Sequence, residues 1–426
     1  MLSHMSSGEE EVDLTSDLEA RAERVLAGGC THIARAYQPA LQVERAEGSR
    51  KWLIDGRELV DYTMGHGALL LGHAHPAVIE AVRRQVARGT HYGAGHPLEI
   101  EWGERIVALV SSVERVRFTS SGTEAGMLAL RIARSATGRD AIVKIDDHFH
   151  GWYDAVTVNL DEQGRPAAPP GVPEATAELT RVVRADDVES LRLTLEDRRA
   201  AALIIEATGA HYGNTPIDPD FVRAARELCT ATGTVLVIDE VISGFRVAPG
   251  GLQALLGIDA DLTMFAKIVA GGLPGGAVGG RAELMDELAR PSGSGGRLSS
   301  VRVAHPGTYN ANPLSASAGI STLDIVAHGE PQQHAERHAI ALEEAWRDAM
   351  RQAGVAGRVW RFSSIVHCAL EDGTANPQLG NALRRAGVDL LHTSAFCSAV
   401  HTDDDLNVAA EAMSRALDSV SQLTTV

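Results

Sequence analysis

Val235-Leu236-Val237-Ile238-Asp239 is the stretch on which the fold turns. Four aliphatic residues in a row leave neither face polar, so a strand built from them must be covered on both sides. The run then ends in an acid. Comparable runs are Val116-Arg117-Phe118, Ala141-Ile142-Val143-Lys144-Ile145, Ala202-Leu203-Ile204-Ile205 and Leu262-Thr263-Met264-Phe265. Helical stretches separate them from about residue 104 to 290. The alternation predicts an α/β domain, a mainly parallel sheet between helical layers. Chemistry in such a sheet collects beyond the carboxyl ends of the strands. There stand Ser120-Ser121-Gly122-Thr123, Asp146 to His150, Glu206, Asp239 and Lys267, one set after each run.

The length of 426 residues exceeds one ordinary domain. With 44% hydrophobic and 22% charged residues, wholesale disorder is excluded. Lys+Arg 39 against Asp+Glu 56 leaves a net charge of −17. A surface that acidic repels phosphate backbones, so no nucleic-acid partner is expected. No apolar run approaches the roughly 18 residues of a membrane helix, so no membrane partner is expected either. Cys30, Cys229, Cys368 and Cys397 lie far apart with no CxxC, which points to a reducing, cytoplasmic setting.

Residues 1–15, with Glu9, Glu10 and Glu11, read as a flexible tail without signal-peptide character. Residues 16–60 combine a short helix with the alternating segments Leu41-Gln42-Val43 and Lys51 to Arg57, turning at Asp55-Gly56. With 326–426 they are expected to form a smaller α+β domain beside a large domain of 61–325. Pro76 predicts the first turn of a helix that ends by Gly89. Asp161–Pro173 and Arg290–Arg297 are rich in proline, glycine or serine and read as mobile loops.

Three of the strand-end sets carry distinct chemistry. Ser121-Gly122-Thr123-Glu124 opens a helix, whose free N–H groups and positive dipole end suit a phosphate; a plain capped helix is the alternative. Asp239 at a buried strand end requires a partner. A protonated pyridine nitrogen satisfies it, as would a helix N-cap role or a metal shared with Glu240. Lysine is rare here, with only Lys51, Lys144 and Lys267, and Lys267 lies between Phe265-Ala266 and Ile268-Val269. Desolvation frees such an amine to attack a carbonyl; otherwise it snorkels to the surface. Phosphate cup, carboxylate and amine together are the three contacts of pyridoxal 5'-phosphate (PLP).

These stretches resemble the class III aminotransferases of the fold-type I PLP enzymes, and within them the glutamate-1-semialdehyde aminomutase branch. The resemblance spans roughly 20–420 and rests on Leu71 to Pro76, Ser121 to Ala125, Phe149-His150-Gly151, Asp239 to Arg246, Lys267 with Gly271 to Ala277, and Gly307-Thr308 with Asn312-Pro313. It implies that Lys267 is the Schiff-base lysine and moves the proton at the substrate α-carbon, while Asp239 pairs with the ring nitrogen. Val241 and Phe149 would flank the ring, Ser121, Gly122 and Thr123 would hold the phosphate, Glu206 would brace the site, and His150 would be among the cofactor-binding residues. Thr308 would reach the neighbouring site of a homodimer, and Arg35 would bind a substrate carboxylate. The implied reaction moves an amino group from a donor to a keto or aldehyde acceptor through pyridoxamine phosphate, with an aminomutase as the alternative.

The sequence departs from the aminomutase pattern at several positions. His66 stands for a tryptophan beside the substrate, His211 for an asparagine at the cofactor's phenolic oxygen, and Ala207 for a proline. His392 to Phe396 is shortened and lacks a glutamate, and the Asp161–Pro173 loop differs. A metal-dependent hydrolase using His73-x-His75 and His148-x-His150 is the rival from another class, but His73 and His75 are expected to cap and pack, and no metal site is expected. Histidines 91, 96, 305 and 401 read as structural.

Overall fold

The computed structural model describes residues 14–37, 40–209, 215–289 and 302–424. His211, the Arg290–Arg297 stretch and residues 1–13 lie outside the described residues. The helix Leu14–Val25 leads into an antiparallel meander of β1 (Val43–Glu47), β2 (Arg50–Leu53) and β3 (Glu58–Asp61). The turn between β2 and β3 is the one expected at Asp55-Gly56. Gly56 takes φ +83° there, and the Asp55 carboxylate accepts the Arg57 N–H at 3.0 Å. The helix Pro76–Val86 begins with Pro76 in its first turn.

All five runs read from the sequence are strands: β4 (Arg115–Thr119), β5 (Ala141–Ile145), and, after the short pair β6 (Asn159–Leu160) and β7 (Pro166–Ala167) and the strand β8 (Thr180–Val183), then β9 (Ala200–Ile205), β10 (Val235–Asp239) and β11 (Leu262–Ala266). With β12 (Gly276–Gly280) they build a seven-stranded sheet in the order β4-β12-β11-β10-β9-β5-β8. Only β12 runs antiparallel to its neighbours. The sheet is large and mainly parallel within a mixed α/β fold, as the alternation in the sequence predicts.

Two strands escaped the sequence reading. β8 at the sheet edge is Thr-Arg-Val-Val, too polar to read as a buried run. β12 is Gly-Ala-Val-Gly-Gly, which resembles a loop. Its glycines are demanded by close neighbours: a Cβ on Gly276 would sit 2.6 Å from the Ser121 carbonyl oxygen, and one on Gly280 2.4 Å from that of Asp261. The Asp161–Pro173 stretch is also more ordered than a loop reading suggests. β6 and β7 pair antiparallel, and Asp161 accepts the N–H groups of Gln163 and Arg165 at 2.9 and 2.8 Å to close the hairpin.

The chain returns through the long helix Glu330–Ala353 to β13 (Gly357–Phe362), β14 (Ile365–Leu370), β15 (Val388–Asp389) and β16 (Ser394–Phe396), and ends on the helix Asp403–Thr424. β15 joins β3 in parallel, so the two ends of the chain share one sheet. They also share a core, in which Val60 and Tyr62 pack with Trp346, Val366, Leu379 and Leu417.

Candidate active site

β4 ends at Thr119 and the helix Gly122–Thr137 starts three residues later. Ser121 is its N-cap. The hydroxyl accepts the Glu124 N–H at 3.2 Å, and the Glu124 carboxylate accepts the Ser120 N–H at 2.6 Å, a reciprocal cap. The Ser121 hydroxyl accepts from the helix and keeps its own proton to donate, and the first-turn amides of Gly122 and Thr123 precede any carbonyl they could reach within it. Gly122 has no room for more: a Cβ would lie 3.0 Å from Val241 Cγ2 and 3.4 Å from Ala266 Cβ. Those two residues follow Asp239 and precede Lys267, so the helix start, the end of β10 and the end of β11 meet at one point.

Asp239 is buried at the end of β10. Its Oδ1 accepts the Val241 N–H at 3.0 Å and its Oδ2 accepts from His150 Nδ1 at 2.8 Å. A carboxylate only accepts, so Nδ1 of His150 carries the proton and Nε2 is the acceptor nitrogen. Burial lowers the pKa of His150, against the pull of Asp239. Nε2 is buried with no partner among the described residues. Glu240, the other acid, is not a metal ligand here: it accepts from Ser243 Oγ and from the N–H groups of Leu252 and Gln253. Among the described residues no group of three His, Cys, Asp or Glu side chains gathers as for a metal ion.

Glu206 follows β9 and is buried. Its Oε1 accepts from both the N–H and the hydroxyl of Thr208, and burial, with some help from Asp239, pushes its pKa up to about 7. Lys267 follows β11 with φ +57°, a conformation few non-glycine residues adopt. Burial lowers its pKa to about 8, with Asp239 and Glu206 pulling the other way and Arg246 adding to the drop. Lys267 Nζ makes no hydrogen bond with a described residue.

Arg35 lies in a short turn, Ile33–Arg35, capped by His32, whose Nδ1 accepts the Ala34 N–H at 3.0 Å. The segment is held from behind by Tyr37, whose ring lies 3.9 Å beneath the Arg384 guanidinium. His32 meets His66 edge-on, with ring centroids 5.1 Å apart. The pKa of His66 falls to about 4, from burial first and then from the positive charges of His32, Lys267, Arg35 and Lys51. Arg35 and Lys267 thus lie near enough for their charges to act on His66.

Thr308 stands apart, exposed in a surface cleft of about 420 Å³ with His91, Tyr92, His96 and Asn310, and no hydrogen bond among the described residues ties it to Lys267. Phe149 is half exposed. His75 does not cap with its side chain, contrary to expectation; only His73 finds a partner, Asp61, at 2.6 Å. His96 does cap its helix through the Glu99 N–H. The sequence reading missed His32, Thr208 and Arg246. The His32-x-x-Arg35 spacing was the available signal for the first; nothing local marked the others.

The residues fit PLP. Two uncommitted amides at a helix start suit its phosphate, a carboxylate fixed by His150 and Val241 suits a protonated ring nitrogen, and an unpartnered amine suits its aldehyde. The family model Aminotransferase class-III matches residues 32–423. The chain belongs to the class-III aminotransferases. This class-III aminotransferase is 39% identical to the glutamate-1-semialdehyde 2,1-aminomutase of Methanopyrus kandleri, over 97% of this chain and 99% of the relative. It superposes on an omega-transaminase from Sphaerobacter thermophilus with a TM-score of 0.89 and 32% identity, covering 97% of this chain and 99% of the other. A transaminase solved with PLP bound gives 0.90 and 32%, covering 96% and 98%. The aminotransferase is an enzyme, and its cofactor is PLP. No helix among its described residues is long and apolar enough to cross a membrane.

Proposed function

We propose that this enzyme transfers an amino group from a donor bearing a carboxylate to a separate keto or aldehyde acceptor. The observation that carries the reading is the gathering of Arg35 and Lys267 around His66. Burial first, and then the charges of His32, Lys267, Arg35 and Lys51, depress the pKa of His66 in a chain whose net charge is −17. A small anion is favoured there and the guanidinium of Arg35 offers a carboxylate two parallel hydrogen bonds.

PLP, when bound, supplies the aldehyde carbon that receives the amine and the ring that accepts electrons from the substrate α-carbon. Gly122 and Thr123 hold its phosphate through backbone amides and the Thr123 hydroxyl. Val241 and Phe149 cover its two faces, and Asp239, oriented by His150, keeps the ring-nitrogen proton in place. Lys267 would hold the aldehyde through Nζ and, once the substrate amine had displaced it, its freed amine would be placed to take the α-carbon proton. A pKa of about 8 leaves roughly one amine in ten neutral at pH 7, without any further base. Glu206 braces Asp239 and Lys267 from the neighbouring strand end. His66 faces the substrate as a neutral imidazole, and His211 is assigned to the cofactor's phenolic oxygen by resemblance alone.

The working unit is a cytoplasmic homodimer. Thr308 serves the neighbouring subunit's phosphate, a reading supported by the exposed apolar residues Ile33, Trp152 and Tyr309, at 91%, 79% and 63% exposure, which a second copy would cover. Four free cysteines suit a reducing compartment.

The full-length likeness to the Methanopyrus enzyme favours a second reading, in which donor and acceptor are one amino aldehyde. Spectral titration separates the two. Single carboxylate-bearing amino compounds should bleach the PLP band and a keto acid should restore it. Glutamate 1-semialdehyde isomerised without any keto acid would move the assignment to an aminomutase. No response to any amino compound would refute both.

A further inference from the structure

The turn that carries His66 is bonded by a residue that is not itself among the groups acting on His66. Met64, Gly65, His66 and Gly67 are four consecutive residues with left-handed φ, at +43°, +60°, +58° and +82°. Two of them are not glycine, so their own conformational preference works against this shape. The first amides of the turn, those of Thr63 and Met64, also have no carbonyl of the turn to reach.

Asp61 answers both needs. It is buried at the end of β3, and its Oδ1 accepts the Thr63 N–H at 2.8 Å and the Met64 N–H at 3.3 Å. The carboxylate is fixed in turn. Oδ1 also accepts from Lys51 Nζ at 3.3 Å, and Oδ2 accepts from His73 Nε2 at 2.6 Å. Lys51 is shared with Asp389, which Arg384 Nε and Thr63 Oγ1 hold at 2.9 and 3.1 Å. At the far end of the turn the Arg246 guanidinium donates to the Gly67 carbonyl at 2.8 Å, and Gly67 has no room for a Cβ, which would lie 2.9 Å from the Phe396 ring.

We propose that Asp61 is a positioning residue for substrate selection: by accepting the Thr63 and Met64 amides, its Oδ1 locks the left-handed turn in the shape that delivers His66 to the pocket. This rests on the reading of His66 as a substrate contact. The role belongs to one oxygen and two amides, and that separates it from a general contribution of the buried charge cluster. Asparagine keeps an oxygen at the Oδ1 position but removes the charge; alanine removes both. If Asp61 matters only as a partner for Lys51, the two variants behave alike. If it positions His66, only alanine displaces it.

The readout is the titration of His66 in the holoenzyme, followed by NMR of ¹³C-labelled histidine and assigned with His66→Gln. The groups facing His66 are His32 and Arg35 from the N-terminal segment, Lys267 after β11 and Lys51 on β2. Asp61→Asn should leave the His66 midpoint where the wild type has it. Asp61→Ala should raise it by about one unit, a tenfold gain in proton affinity as the ring leaves its buried, positive surroundings. Should Asp61→Ala not fold, Thr63→Pro removes one of the two amides at φ −74°, which proline tolerates, and should raise the midpoint in the same direction. An unchanged midpoint in whichever variant folds, or an equal shift in Asp61→Asn, overturns the inference. A His66→Gln enzyme with unchanged donor preference would instead remove the reading beneath it.

Discussion

Replacing Lys267 by methionine should make the PLP-free protein more stable while ending turnover. The buried ammonium has a pKa of about 8 against an ordinary 10.5. That difference of about 2.5 units corresponds to about 3 kcal/mol at 1.36 kcal/mol per unit. The sign follows from proton counts. Between pH 8 and 10.5 the unfolded chain binds more protons at this site than the native one, so stability rises with pH through that window. Below pH 8 the penalty is complete. Methionine keeps the length and most of the apolar contact of lysine but has no charge to desolvate, and it meets the same backbone cost at φ +57°. At pH 7 the apo variant should therefore be about 3 kcal/mol more stable than apo wild type. The advantage should shrink above pH 8 and vanish near pH 10.5. Lys144 titrates identically in both proteins and cancels. Urea unfolding of the two apo forms at pH 7 and pH 10.5 measures the difference directly. A variant no more stable than wild type at pH 7, or a gain that does not fade with pH, would refute the view that this lysine is held against its solvation preference.

Three further outcomes test other parts of the structure. Gly151→Ala should weaken PLP binding at least about tenfold, because its Cβ would come 3.0 Å from Thr123 Cα at a residue already at φ +104°; Gly171→Ala, also at positive φ but with nothing within 4 Å, should leave PLP affinity unchanged in fluorescence titrations. Trp346→Ala, in the core that joins the two chain ends, should cost about 3–5 kcal/mol in urea unfolding. Acid should weaken the fold below pH 6.5, since burial holds the pKa of His148 and His401 down to about 3 and both must stay neutral in the native state. Each loses stability progressively as pH falls from 6.5 towards 3, by about 1.36 kcal/mol per pH unit, and His148→Gln should flatten the measured slope by roughly that amount.

What was legible in the sequence is what hydrophobic patterning and strand-end logic can express. Val235 to Ile238 and Ala202 to Ile205 announced themselves because a central parallel strand is buried on both faces, and Glu206, Asp239 and Lys267 followed from where such strands end. β12 was illegible because its glycines answer to the Ser121 and Asp261 carbonyls, which are close only in the folded state. The partner of Asp239 was left open between a pyridine nitrogen, a cap and a metal. The fold adds His150, 89 residues away in sequence, which no local pattern could supply. The turn at Met64–Gly67 was hidden for a related reason: left-handed φ at methionine and histidine runs against propensity, and the Asp61 and Arg246 bonds that accompany it come from residues no local pattern connects to it.

The three lysines show what separates a structural cation from a reactive one. Rarity and apolar flanks singled out Lys267, yet Lys144 has the same flanks in Val143 and Ile145, and burial lowers its pKa to the same value of about 8. Desolvation alone cannot tell them apart. Lys51 differs in sign: Asp61 and Asp389 outweigh its burial and raise its pKa. The distinction between the other two lies in hydrogen bonds. Lys144 donates to the Val158 carbonyl at 3.0 Å and to Asn159 Oδ1, and that pair of acceptors fixes Nζ on the loop entering β6. A nucleophile there would first have to break both bonds and leave two buried acceptors unpaired. Lys267 has no such bond to give up among the described residues, where its neighbours Asp239 and Glu206 act through their charge. The amine whose pKa desolvation lowers and which has no hydrogen-bond partner among the described residues is the one free to turn towards a carbonyl, and it is also the one whose removal should strengthen the protein.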